Sequence, residues 1–133
     1  MSNGQSADEV SLTGVRVLVV EDDYLIAKEI VTTLHEHGAT VMGPVADVTS
    51  SRALLAQSTP PDCALLDINL KGQFVFDLAQ ELVHRGVPPI FTTGYDQSFL
   101  PTQFSTAPCL LKPLDMRRLV RSIRAQKVRD RIS

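Results

Sequence analysis

The 133-residue sequence predicts an α/β fold, an open doubly wound parallel sheet of five strands. Three observations predict it. Short apolar, often β-branched runs alternate with amphipathic stretches at near-helical spacing, as βαβ crossovers require. The apolar runs lack the in–out alternation of a half-wet sheet, so their strands are read as covered on both faces. Glycine or proline closes the helical stretches.

Residues 15–20 (VRVLVV) form the first strand. Asp23 is placed to cap a helix to residue 37, with Leu25, Ile26, Ile30 and Leu34 near helical spacing and Gly38 as its stop. A second strand fits 40–45, weakened by Gly43 and Pro44, and a helix fits 48–57, ended by Thr59-Pro60-Pro61. Residues 63–66 (CALL) are a third strand, and 74–84 a third helix that carries Leu78 and Leu82 and stops at Gly86. Residues 89–92 (PIFT) and 107–111 complete the sheet, and 114–127 form the last helix, with Met116, Leu119, Val120 and Ile123 facing inward. Between the last two strands, 95–106 leave room for only a short helix.

The chain is 44% hydrophobic and 21% charged, enough for the core of one domain. Residues 1–13 read as a flexible tail, 14–127 as the domain and 128–133 as a C-terminal tail, with no room for a second module. No stretch approaches the roughly 20 apolar residues of a membrane helix, and residues 1–10 lack the apolar core of a signal peptide. A cytoplasmic location is expected. Cys63 and Cys109 lie in apolar runs and read as small buried hydrophobes. Net charge is −2 but unevenly placed: 112–133 hold eight Lys/Arg and two Asp, giving +6, and the rest holds five and thirteen, giving −8. Arg117, Arg121 and Arg124 share a face that reads as solvated, with docking of an acidic partner as the alternative. An acidic body without interleaved aromatics argues against nucleic acid. His35, His37 and His84 read as surface residues, since two residues apart is not one helix face.

Parallel open sheets place their sites beyond the carboxyl ends of the strands. There the sequence sets Glu21-Asp22-Asp23, Asp67, Thr92-Thr93-Gly94 and Lys112-Pro113. Clustered carboxylates repel one another, and burial adds to the cost. A hard divalent cation with oxygen ligands relieves both, and Mg²⁺ suits such a set. A carboxylate can also be a nucleophile that forms an aspartyl-phosphate, with a Lys and a hydroxyl stabilising the phosphoryl oxygens. Each acid also has a bland reading, as a helix start or a turn residue. For Asp23 capping is the preferred reading. Thr92 and Thr93 compete for the hydroxyl role, with Thr93 preferred because Gly94 follows it.

The runs VLVVEDD (17–23), LLDINL (65–70), TTG (92–94) and LKP (111–113) occur in that order on the predicted strand ends. Together they resemble the receiver domains of bacterial two-component response regulators. The resemblance covers about residues 14–127, and it implies a flavodoxin-like sheet of order 2-1-3-4-5. It implies Asp67 as phosphoacceptor, Asp22 as direct Mg²⁺ ligand with Glu21 beside it, and a metal contact from the backbone carbonyl of Asn69. It implies Thr93 and Lys112 as phosphoryl-binding groups and a cis Lys112-Pro113 bond. The implied donor is a sensor histidine kinase or histidine phosphotransfer protein, and the output is an unidentified downstream protein, with no direct nucleic-acid or membrane partner and a monomer or weak homodimer. A receiver is consumed stoichiometrically, so a signalling switch and not an enzyme is expected. IFTTGYD (90–96) further resembles a single-domain branch with a Phe-x-Thr-Gly-Tyr signature.

Two departures stand out. Cys109 occupies the place, three before the Lys, where the family usually has an aromatic residue, so Tyr95 is a candidate for its role. The interval from Thr93 to Lys112 is short, which implies a reduced fourth helix. The rival readings are a binding module indifferent to phosphorylation and a phosphohydrolase. The second would need an acid two residues after the nucleophile, where this chain has Asn69.

Overall fold

A computed structural model describes residues 10–70, 75–94 and 100–132, the last five as backbone only. The element order is β1 (Arg16–Val20), α1 (Tyr24–Glu36), β2 (Thr40–Val45), α2 (Val48–Ala56), β3 (Cys63–Asp67), α3 (Val75–His84), β4 (Pro89–Thr93), a 3₁₀ turn (Thr102–Phe104), β5 (Cys109–Leu111) and α4 (Met116–Ile132). The five strands form one parallel sheet in the order β2-β1-β3-β4-β5. That is the expected architecture. Between β4 and β5 the described residues hold only the 3₁₀ turn.

Alternating residues of each strand feed two apolar layers. Leu18, Ala64, Leu66 and Phe91 meet α2 and α3 on one face, and Val17, Val19, Leu65 and Ile90 meet α1 and α4 on the other. β3 and β4 are buried at all five positions, because both their faces and both their edges are covered. Between β4 and β5, Phe104 from the 3₁₀ turn fills the layer, with its ring 5.2 Å from Phe91 and 5.9 Å from Phe76 between centroids.

Asp23 caps α1 by accepting hydrogen bonds from the N–H groups of Leu25 and Ile26. Gly38 ends the helix at a φ of +93°, in the left-handed region that favours glycine. Leu25 departs from expectation: it is 75% exposed, and Ala27, Ile30 and Leu34 form the buried stripe. Leu25 precedes Ile30 by five residues, which is about 140° round the helix. In β2, Gly43 keeps the strand but breaks its register with β1 between Leu18 and Val20. Its φ is +98°, and a Cβ there would lie 2.8 Å from Val45 N. The Gly43-Pro44 bond is cis.

Order is visible on both sides of residues 14–127. Leu12 is fully buried and its N–H donates to His37 O at 2.7 Å. His37, expected at the surface, is half-buried and donates from Nδ1 to Val10 O at 2.7 Å. Residues 10–13 therefore pack on the domain, and residues 1–9 lie outside the described ones. At the other end α4 continues to residue 132, through most of the expected tail. Arg124 reaches Ser11 O at 3.5 Å, and Lys127 pairs with Asp62 at 2.8 Å.

Candidate functional site

Because the strands are parallel, the carboxyl ends of β1, β3, β4 and β5 share one edge of the sheet. Glu21 and Asp22 follow β1, Asp67 closes β3, Thr93 closes β4, and Lys112 follows β5 after Leu111. Glu21, Asp67 and Thr93 are buried among polar neighbours at this edge. One carboxylate oxygen from each of Glu21, Asp22 and Asp67 lies within 4.8 Å of the other two.

Lys112 spans the acids. Its Nζ is 3.1 Å from Glu21 Oε1 and 3.3 Å from Asp67 Oδ2, and it donates to Glu21 Oε2 at 3.3 Å. The Lys112-Pro113 bond is cis, as expected, and Lys112 N–H donates to Thr93 O at 2.7 Å. Backbone groups hold the carboxylates as well: Asp23 N–H donates to Glu21 Oε2 at 3.1 Å, and Asn69 N–H to Asp67 Oδ1 at 2.9 Å.

The electrostatics show a charge deficit. Burial pushes the Glu21 carboxyl up to about 7; the Asp23 N–H opposes this, the Asp67 charge reinforces it, and Lys112 offsets only part. For Lys112 burial pulls downward, yet the Glu21 hydrogen bond and the Asp67 charge outweigh it and hold the ammonium above its usual range. One ammonium among three carboxylates satisfies itself but not the acids. Glu21 Oε1 is buried and accepts no hydrogen bond, although it lies beside the ammonium. A hard cation fits this all-oxygen set with an orphaned oxygen.

The two threonines at the end of β4 have different surroundings. Thr93 Oγ1 donates to Asn69 Oδ1 at 3.3 Å, on the side of the β3 turn that carries Asp67. Gly94 N–H donates to the same oxygen at 3.1 Å. Thr92 instead lies in register with Asp67 and accepts at its carbonyl from Ile68 N–H. The Asn69 side chain is the site residue that sequence reasoning missed; it had credited only the backbone carbonyl. The available signal was a short amide opening a loop, where such side chains bond nearby backbone. Tyr95, the candidate for the aromatic role, lies outside the described residues.

Cys63 and Cys109 are buried, as expected of small hydrophobes. Burial pushes the Cys63 thiol up to about 12. Arg117 and Arg121 are exposed. Among the described residues no helix is long and apolar enough to cross a membrane.

The family described as the response regulator receiver domain matches residues 17–124. Among curated relatives, the sensory transduction protein LytT of Enterococcus faecalis is 30% identical over 112 residues, 82% of this chain and 46% of that protein. The transcriptional regulatory protein PdtaR of Mycobacterium tuberculosis is 27% identical over 124 residues, 90% of this chain and 60% of that protein. The chain thus spans about half the length of the curated relatives it matches. Among solved structures, the BeF3-activated conformation of SdrG from Pseudomonas melonis Fr1 is 28% identical with a TM-score of 0.73, covering 87% of this chain and 98% of that chain. With the expected sheet order, the acids gathered at its carboxyl edge and a family match over most of its length, the chain belongs to the response regulator receiver domains of two-component signalling.

Proposed function

We propose that this chain is a phosphorylation switch in which Asp67 accepts a phosphoryl group from a histidine kinase or phosphotransfer protein and the modified surface acts on a downstream protein. The observation that carries the reading is Asp67 Oδ2 lying 3.3 Å from Lys112 Nζ, with Glu21 and Asp22 gathered beside it. In the transfer, an Asp67 oxygen attacks phosphorus, the bond from phosphorus to the donor imidazole nitrogen breaks, and the electron pair leaves with that nitrogen. Lys112 neutralises charge on the transferring group, and the Thr93 hydroxyl donates to one of its oxygens. Glu21, Asp22, Asp67 and the Asn69 backbone carbonyl are the groups to hold Mg²⁺, which supplies positive charge to the acids and the phosphoryl oxygens.

Each transfer consumes one Asp67, so the chain is a switch and not an enzyme. Its setting is the cytoplasm, with protein partners and no direct nucleic-acid or membrane contact. The run Phe91, Thr93, Gly94 and Tyr95 supports reading it as one of the Phe-x-Thr-Gly-Tyr branch of receivers. The existence of a BeF3-activated form of SdrG supports using the same probe here.

The test is intact-protein mass after incubation with acetyl phosphate, with and without Mg²⁺, on wild type and Asp67→Asn. The expected result is a single phosphoryl adduct that needs both Mg²⁺ and Asp67. Failure of both the adduct and beryllofluoride binding would refute the switch and leave a constitutive binding module. Sustained turnover of a phosphate ester would point to a hydrolase instead.

A further inference from the structure

Two donors at the end of β4 converge on one oxygen. Asn69 Oδ1 accepts from Thr93 Oγ1 at 3.3 Å and from Gly94 N–H at 3.1 Å. Asn69 N–H in turn donates to Asp67 Oδ1 at 2.9 Å, so the residue is fixed to the acid that would be modified. A phosphoryl group on Asp67 brings three oxygens that need donors. Lys112 already stands beside Asp67 Oδ2. A hydroxyl donor and the backbone donor next to it at the end of β4 are the two engaged by Asn69.

We infer that the Asn69 carboxamide oxygen is a placeholder for a phosphoryl oxygen: it engages Thr93 and Gly94 in the unmodified chain and must be displaced when Asp67 is modified. The inference rests on the reading of Asp67 as phosphoacceptor and adds a positioning role for a side chain not otherwise assigned. An ionised phosphoryl oxygen is the stronger acceptor, since hydrogen bonds to a charged partner are about twice as strong as neutral ones. The exchange is therefore favourable, but it is opposed by the two neutral hydrogen bonds that must break. Asn69 consequently shifts the balance toward the unmodified arrangement of the β4 end. Its side chain is exposed, so its removal leaves the core untouched.

Asn69→Ala keeps the backbone carbonyl assigned to the metal and removes only the competing acceptor. Beryllofluoride with Mg²⁺ serves as the phosphoryl probe, followed by NMR titration. The expected result is roughly tenfold tighter binding than wild type, the size of two modest neutral hydrogen bonds. In a Thr93→Val background, where one of the two donors is gone, the gain from Asn69→Ala falls to roughly threefold. In the metal-free protein, the Gly94 amide exchanges with solvent roughly threefold faster in Asn69→Ala than in wild type, the size of one such bond. Unchanged or weaker binding in Asn69→Ala, an equal gain in both backgrounds, or unchanged Gly94 exchange each overturns the placeholder. If wild type and Asn69→Ala both fail to bind beryllofluoride while Gly94 exchange still rises, the Asp67 reading fails, and the hydrogen bonds stand without a phosphoryl group to displace them.

Discussion

Without a divalent cation, this domain should lose stability as pH rises from 5 to 8, and Glu21 should be the cause. Burial raises its carboxyl from 4.5 to about 7. At 1.36 kcal/mol per unit that corresponds to about 3 kcal/mol. In this window the folded chain holds a proton that the unfolded chain has released. The unfolded state therefore binds fewer protons, and the free energy of unfolding falls as pH rises. Other shifted groups do not confuse the window. Asp47 and Glu81 are lowered and titrate below it, and Lys112 is raised and titrates above it. Because Glu21 shares Lys112 with Asp67, the expected loss is about 2 kcal/mol, or about 1 M in the urea midpoint for a slope of about 2 kcal/mol/M. The assay is urea unfolding in EDTA at pH 5, 6, 7 and 8, on wild type and Glu21→Gln. The variant should be nearly flat across the range, and millimolar Mg²⁺ should restore wild type at pH 8 by binding the ionised acids. An equal pH slope in both proteins, or a wild-type midpoint that rises with pH, would refute the reasoning.

Phe104→Ala should cost about 3 kcal/mol in urea unfolding, because the ring is buried between Phe91 and Phe76. Leu12→Ala should cost about 2–3 kcal/mol by the same assay, whereas a true tail residue would cost nothing measurable. Asp23→Ala should cost about 1 kcal/mol through loss of the α1 cap, read as a lowered midpoint in thermal unfolding.

Most of the sheet was legible in the sequence for a simple reason: strands buried on both faces must be nearly apolar throughout, as β1, β3 and β4 are, whereas the edge strand β2 carries one buried position among six. The strand ends were legible for the same reason, since a charged residue straight after an apolar run marks the sheet edge. What escaped depended on long-range contact. Nothing near Leu12 or Val10 announces that His37, more than twenty residues on, will hold them. Gly43 looked like a weakness in β2, yet it permits a register break that any side chain would obstruct. Leu25 shows the limit of periodicity: a large apolar residue near helical spacing is exposed, while the smaller Ala27 occupies the buried stripe. Thr92 and Thr93 differ in surroundings because one residue along a strand reverses the side chain.

Cys109 bears on how any change at the site travels. It is buried in the layer that holds Phe91 and Phe104, and Phe76, Phe91 and Phe104 pack ring against ring there. A small thiol on β5 leaves no ring to swing between surface and interior, so the described residues carry no aromatic rotor on that strand. A different link is present. Thr93 donates from its hydroxyl to Asn69 and accepts at its carbonyl from Lys112 N–H at 2.7 Å. One residue at the end of β4 is thus tied on one side to the turn bearing Asp67 and on the other to β5 at Lys112. A displacement of Thr93 toward a phosphoryl oxygen would pull on the backbone of β5 directly. On the proposed reading, the strand-to-strand hydrogen bond takes the place of the missing ring, and Leu111, 57% exposed on β5, is the first surface side chain in line to respond.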